Sequence, residues 1–450
     1  MRIGKLFAVL MLIMFIFAGS VFAEDRVSLG YLYGSTDNID LVDRTNGAIN
    51  QIAPTCMDLD DRGNLDLTDN LTQLFVNQMH ERGILVTPFL SNHWVRSKGR
   101  KAINNAEKLS NQIVDAIIAF DLDGVNIDIE NLTEDDRDDL TNFVRVLKEK
   151  MPEGKLLTVC VAANPFGRED GWQGSYDYAQ LGGYADYLFI MAYDEHSVGS
   201  VEGPVASNAF VENSIIYALQ YVSKDKIVMG IPFFGRYWDN SEETGGQAVV
   251  IGAVPSLISK HKGIVEYNNE IGETKVTITV DNNKKPCKIN GEEIPNGTYT
   301  IWYHTDENIK SKLSLVNKYD LLGAGVWALG QEKKDVWSYY YDELNKIPRV
   351  VEQEENISKT EEYIAIIENT CEEPEMQKKN KMLFCKDEKI ELHEDNMVVE
   401  PHYHTRFYKE TNYDKTIENS STEQKAEKDY SIDFVKDMKK IRRQKFEKHY

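Results

Sequence analysis

Between residues 27 and 348, short runs of β-branched and apolar residues alternate with segments whose apolar positions recur at helical spacing, as repeated βα units do. Eight runs predict strands: Val27–Tyr33, Gln51–Pro54 with a continuation to Leu59, Ile84–Leu90, Gly124–Ile129, Leu157–Ala162, Tyr187–Tyr193, Ile227–Phe233 and Gly323–Leu329. Helical segments fit between most of them. Thr133 to Asp136, for example, supplies a cap and first-turn acids ahead of Leu140, Phe143, Val144 and Leu147. Eight such units predict an α/β fold, a (β/α)8 TIM barrel with its site at the C-terminal ends of the strands. From Trp238 to Tyr303 the chain is too long for a simple connection and carries β-type stretches and turn signals, so a small β-rich (α+β) insertion is expected between strands seven and eight, at about 239–303.

The two ends depart from this pattern. Residues 1–23 read as a secretory signal peptide: a basic start, an apolar run from Leu6 to Ala18, then small residues up to Ala23. That run is shorter than the roughly 20 residues a spanning helix needs, so a membrane enters only if the segment is retained. The barrel is expected over 24–348. From 351 to 450 there are 18 Lys+Arg and 24 Asp+Glu, so 42 of 100 residues are charged against 28% for the whole chain. Too few apolar residues remain there to offset chain entropy, and 349–450 reads as a largely disordered or weakly helical tail. Its last stretch, 430–450, also fits a basic amphipathic helix.

Composition narrows the partners. A chain of 450 residues with 42% apolar content can bury a large core, and its net charge of −22 repels nucleic-acid phosphates. An uncharged glycan meets no such penalty. Cys56, Cys160, Cys287, Cys371 and Cys385 form neither a dense disulfide framework nor a metal-type pair, so most read as buried small apolar residues. Neither a metal nor a cofactor is expected.

The chemistry concentrates on strand four, Asp123 to Glu130. Side chains alternate along a strand, so Asn126, Asp128 and Glu130 face the barrel mouth while Asp123 falls out of phase. Two inward carboxylates two positions apart raise each other's proton affinity, which keeps one protonated near neutral pH. Glu130, nearest the strand end, is the better-placed proton donor. Acidic alternation alone also fits solvated carboxylates or a magnesium or calcium site. Gly124, Val125, Ile127 and Ile129 nevertheless make this a buried strand, where unpaired carboxylates are costly unless used.

Residues 123–130 resemble the D-x-x-D-x-D-x-E signature of glycoside hydrolase family 18. Met191 to Asp194 resemble the family's M-x-Y-D on strand six, Gly230 to Arg236 its strand-seven segment, and Gly325 to Trp327 its closing tryptophan. Tyr193 to His196 followed by Gly203 to Ser207 is similar to bacterial members associated with spore peptidoglycan. The resemblance covers about 27–348 and implies a substrate-assisted retaining mechanism, in which the substrate's 2-acetamido oxygen attacks the anomeric carbon. It implies that Glu130 protonates the leaving oxygen and later activates water, and that Asp128 holds the acetamido N–H. Tyr193 would bond the acetamido carbonyl, Trp327 would floor the sugar, and Asp194 would touch the same subsite. As isolated residues, Tyr193 and Trp327 also read as ordinary barrel core. Met191, Tyr31, Asn164 and Arg236, with Asn92, Trp94 and Trp238, fall near predicted strand ends as further glycan contacts. Asn126 stands where the chitinase form of the signature has a second aspartate, which takes a like charge away from Asp128.

Three functions follow from these readings. The first is hydrolysis of N-acetylglucosaminides in peptidoglycan or its fragments, by a secreted, envelope-bound or spore-associated enzyme. The second is hydrolysis of chitin oligomers by the same residues, and the third a catalytically silent glycan-binding barrel.

Overall fold

The computed structural model describes residues 22–351 apart from 35–38, 282–285 and 348. The leader up to residue 21 and the charged stretch after 351, with Cys371 and Cys385, lie outside the described residues.

All eight expected strands form. The first seven run through β1 (Val27–Leu32), β2 (Gln51–Pro54) and β3 (Met57–Leu59), β4 (Leu85–Val86) and β5 (Phe89–Ser91), β6 (Gly124–Asp128), β7 (Leu156–Ala162), β8 (Tyr187–Met191) and β9 (Ile227–Pro232). A five-stranded antiparallel sheet comes next in the chain. It consists of β10 (Phe234–Asp239), β11 (Gln247–Val250), β12 (Ile264–Asn268), β13 (Glu273–Val280) and β14 (Gly297–Tyr303), in the order β11-β10-β14-β13-β12. The eighth barrel strand, β15 (Gly323–Trp327), then pairs parallel with both β9 and β1.

The second and third barrel strands are each broken, at a proline. Pro54 ends β2 and Pro88 separates β4 from β5, and neither residue has an N–H to give a ladder. β2 pairs with β4 and β3 with β5, so the two halves of one strand pair meet the two ends of the sheet order and close the barrel. Gly124 opens β6 because a Cβ there would stand 2.0 Å from the Leu156 carbonyl oxygen of the adjacent strand.

Helices α1 (Ala106–Phe120), α2 (Arg137–Lys150), α3 (Asn208–Leu219) and α4 (Asp306–Lys318) pack outside. The expected start of α2 is present as a capping box in which Thr133 and Asp136 satisfy each other's backbone, followed by a single 3-10 turn. Leu140, Phe143, Val144 and Leu147 then bury one stripe against the sheet. Each such side chain contributes about 1.5–3 kcal/mol relative to exposure. Val125, Ile127 and Ile129 of strand four join this outer layer, which sends Asn126 and Asp128 inward. The interior is aromatic: Tyr31, Phe89, Tyr187 and Phe189 pack with Leu29, Met191 and Val228 beneath the mouth. Cys56, Cys160 and Cys287 are buried, as expected.

Candidate active site

Asp128 is the last residue of β6, and Glu130 lies two positions beyond it, where the chain has left the ladder. Glu130 is held by its backbone. Its N–H donates to Asn92 Oδ1 at 2.9 Å, and its carbonyl accepts from Asn92 Nδ2 at 2.8 Å. On one side the Ile129 carbonyl accepts from the Tyr176 hydroxyl at 3.0 Å, which in turn accepts from Trp172 Nε1. On the other side Asn131, with φ 58°, receives two donors from Arg96. The backbone N–H and carbonyl of Glu130 are thus both assigned.

Asn126, Tyr31 and Cys160 form a floor under Asp128. Asn126 Nδ2 donates to Thr158 Oγ1 at 2.7 Å, while its Oδ1 accepts from the Tyr31 hydroxyl at 3.1 Å and the Cys160 thiol at 3.0 Å. An aspartate at 126 could not give the first of these bonds.

Burial pushes the Asp128 carboxyl up, and bonds from Cys160 and Ser91 together with the nearby His93 oppose that rise. Glu130 is raised well above the glutamate range, first by desolvation, then by the negative charges of Asp128 and Asp194. Burial likewise raises the Tyr193 hydroxyl, with Cys160, Asp128, Glu130 and Asp194 adding to it, so the phenol keeps its proton as a donor. The arrangement can present a protonated carboxyl, a neighbouring carboxylate and a phenol to one ligand.

Trp327 closes the mouth beside them. Its ring lies 5.2 Å from Tyr31, 5.5 Å from Tyr33 and 5.7 Å from Phe89, centroid to centroid, half-buried at the end of β15. Asp194, with φ 63°, leaves the end of β8 and takes a bidentate pair from Arg236 at 2.7 and 2.8 Å.

Several further residues named from the sequence are buried or spend their polar groups within the protein. Tyr31 is 1% exposed, its hydroxyl spent on the floor. The third guanidinium nitrogen of Arg236, Nη1, donates to the Gly246 carbonyl at 2.7 Å, so Arg236 acts on the site through Asp194. Asn164 bonds both ways to the Arg168 backbone and closes its own loop. Met191 and Trp238 are buried, the latter donating to the Ser200 carbonyl. Asp123 sits at the opposite end of β6, where its Oδ2 accepts from Val86 N and lies 2.8 Å from His80 Nε2. Trp94 meets Trp172 edge-on at 4.8 Å beside the mouth.

The segment after Asp194 is pinned at its neck. Ser207 N and Oγ both bond to Glu195, and Val205 N and Ala206 N donate to the two oxygens of Glu273, at the start of β13. Glu273 is fully buried near Lys312 of α4 and His304.

Residues 95–332 match the model of the glycosyl hydrolases, family 18. The chain is 28% identical over 216 residues to the uncharacterized glycosylase YvbX of Bacillus subtilis, covering 48% of this chain and 59% of that one. It is 23% identical over 287 residues to the cortical fragment-lytic enzyme of the same organism, covering 62% and 64%. Among solved structures, a chitinase from Chromobacterium violaceum superposes with a TM-score of 0.64 at 23% identity, over 71% of this chain and 99% of that one. The match to the family model spans over half of the sequence, and this chain belongs to glycosyl hydrolase family 18. It spans less than two thirds of the length of either curated relative.

Proposed function

We propose that the protein hydrolyses β-linked N-acetylglucosaminides of peptidoglycan or its fragments by a substrate-assisted retaining mechanism. The observation that carries this reading is the pairing of a raised Glu130 with Asp128 at the end of β6, beside Tyr193 and Trp327. Glu130 donates its proton to the leaving oxygen as the substrate's own acetamido oxygen closes on the anomeric carbon. Asp128 holds the acetamido N–H and offsets the positive charge that develops on the ring. Tyr193 donates to the acetamido oxygen, and Trp327 supplies the apolar face under the sugar. Glu130, now ionised, takes a proton from the water that opens the intermediate. Export of the enzyme belongs to the same reading, supported by the leader-like run in residues 1–23.

Peptidoglycan is favoured by the cortical fragment-lytic relative, and chito-oligosaccharides form the second reading, on the likeness to a chitinase fold. Digestion of purified peptidoglycan and of chitotetraose side by side, with products weighed by mass spectrometry, separates the two. Release of GlcNAc-terminated muropeptide fragments ahead of chitotetraose cleavage is expected. Faster cleavage of chitotetraose reverses the choice.

The backbone clamp on Glu130 yields a second expectation. Asn92→Ala lowers kcat about tenfold with KM little changed, because the acid drifts from the leaving oxygen. It also destabilises the fold by about 1–3 kcal/mol, since the Glu130 N–H loses its buried acceptor. Steady-state kinetics and urea denaturation read both effects; an unchanged kcat would remove the positioning role.

A further inference from the structure

The loop from 163 to 177 follows β7 at the mouth end of the barrel and carries two sets of aromatic side chains. Trp172 and Tyr176 brace the chain beside Glu130. Phe166, by contrast, is 77% exposed, although the loop around it is fastened along its length. Asn164 Nδ2 donates to the Arg168 carbonyl and Asn164 Oδ1 accepts from Arg168 N, both at 2.8 Å, with Gly167 at φ 63° in the turn between them. Farther along, Arg137 of α2 donates to the Glu169 and Gly174 carbonyls, and Glu134 accepts from Gly171 N. A large apolar ring held in water by a fixed backbone is a standing cost that a ligand would relieve.

Phe166 and the C-terminal part of α3 line one groove of about 350 Å³, within the roughly 300–1,000 Å³ of small-ligand sites. Asn213, Ile216, Tyr217 and Gln220 recur along α3 and its cap at the spacing of a single helical face, and Tyr221 follows them. Ile216 and Tyr221 are exposed. The Tyr217 ring is backed by Tyr178 at 5.2 Å and meets Tyr221 at 5.1 Å, centroid to centroid. The solvent face of a surface helix ordinarily carries charged side chains. This one carries rings and amides, and among the described residues lining the groove only Glu169 is charged.

We propose that this groove is a second glycan-binding site, which holds a strand of the polymeric substrate outside the mouth. The ligand class rests on the hydrolase reading above. A pyranose presents an apolar C–H face to an aromatic ring, while its hydroxyl and acetamido groups exchange hydrogen bonds with side-chain amides and phenols. A phosphate or carboxylate ligand would meet no cation in the groove and would face Glu169. Phe166 and Trp172 belong to one loop, so a strand held at the groove stays close to the mouth. Each return of that strand to Glu130 then becomes an intramolecular event, an advantage for long substrates that short ones do not share.

The test is co-sedimentation of the full chain with insoluble chitin and with purified peptidoglycan, in the Glu130→Gln background so that the polymer is not consumed. Phe166→Ala combined with Tyr221→Ala is expected to weaken binding to the polymer about tenfold. In the otherwise wild-type enzyme the same pair is expected to leave kcat/KM unchanged on the shortest oligomer that the wild type cleaves. Phe166→Trp, which keeps a flat ring, is expected to retain binding, and Phe166→Leu, which keeps apolar area without one, to lose it. Both positions are exposed, and unchanged thermal melting checks that the fold is intact. Wild-type sedimentation of the double variant, or full retention in Phe166→Leu, overturns the proposal. So does a loss of self-association in the double variant with glycan binding unchanged, which would assign the groove to a second copy of the chain. Binding through this groove by a wild type that hydrolyses no glycan defeats the hydrolase reading and upholds the site, whereas hydrolysis with no effect of the double variant on polymer binding defeats the site alone.

Discussion

Glu130→Gln lowers kcat about a thousandfold on whichever glycan the wild type cleaves, and leaves the unfolding free energy within about 1 kcal/mol. The amide matches the carboxyl in shape and the Asn92 clamp binds only its backbone, so the geometry survives and the proton donor alone is lost. The wild-type pH profile carries the companion sign. Glu130 is held above the glutamate range by burial and by the charges of Asp128 and Asp194, so its acid form, and the activity that needs it, persists to higher pH than a solvated glutamate allows. Undiminished turnover in Glu130→Gln would sink the mechanism outright.

Glu273→Leu has the largest expected effect on stability. It strips the acceptor from the N–H groups of Val205 and Ala206 and takes from buried Lys312 the nearer of the two carboxylates that act on it, leaving Glu195. Breaking such a buried arrangement from one side costs about 3–5 kcal/mol, chiefly because the orphaned charge and donors stay desolvated. Guanidinium denaturation should show the loss at neutral pH. A change below 1 kcal/mol would mean that the neck after Asp194 holds without Glu273.

The barrel was legible because each strand carries its own apolar run and its position is local information. All eight runs became strands, and the cap at Thr133 formed where its residue types put it. The phase of strand four was also legible: period-two alternation sends Asn126 and Asp128 inward and leaves Asp123 outside, where it ties down Val86. Contacts across the sheet were not legible. Asn92 looked like one more polar residue near a strand end, yet it grips Glu130 from 38 positions away. Tyr31 and Asn164 sit near strand ends like true ligand contacts, and only their hydrogen bonds show that one serves the floor and the other a loop. Glu273 meets Val205 across 68 residues, a distance over which no periodicity speaks.

The five-stranded sheet and the barrel share ownership of one wall. Arg236 comes from β10 and Asp194 from the end of β8; Trp238 of the sheet grips Ser200, and the chain at Gly199 bonds to Gly245. Neither part is a cassette. Replacing 234–303 with the corresponding piece of another barrel would strip Asp194 of its counter-ion and the 195–207 segment of Glu273 in one stroke. A graft that succeeds must import an arginine and a carboxylate in register, which ties any divergence of this sheet to the geometry of the mouth it flanks.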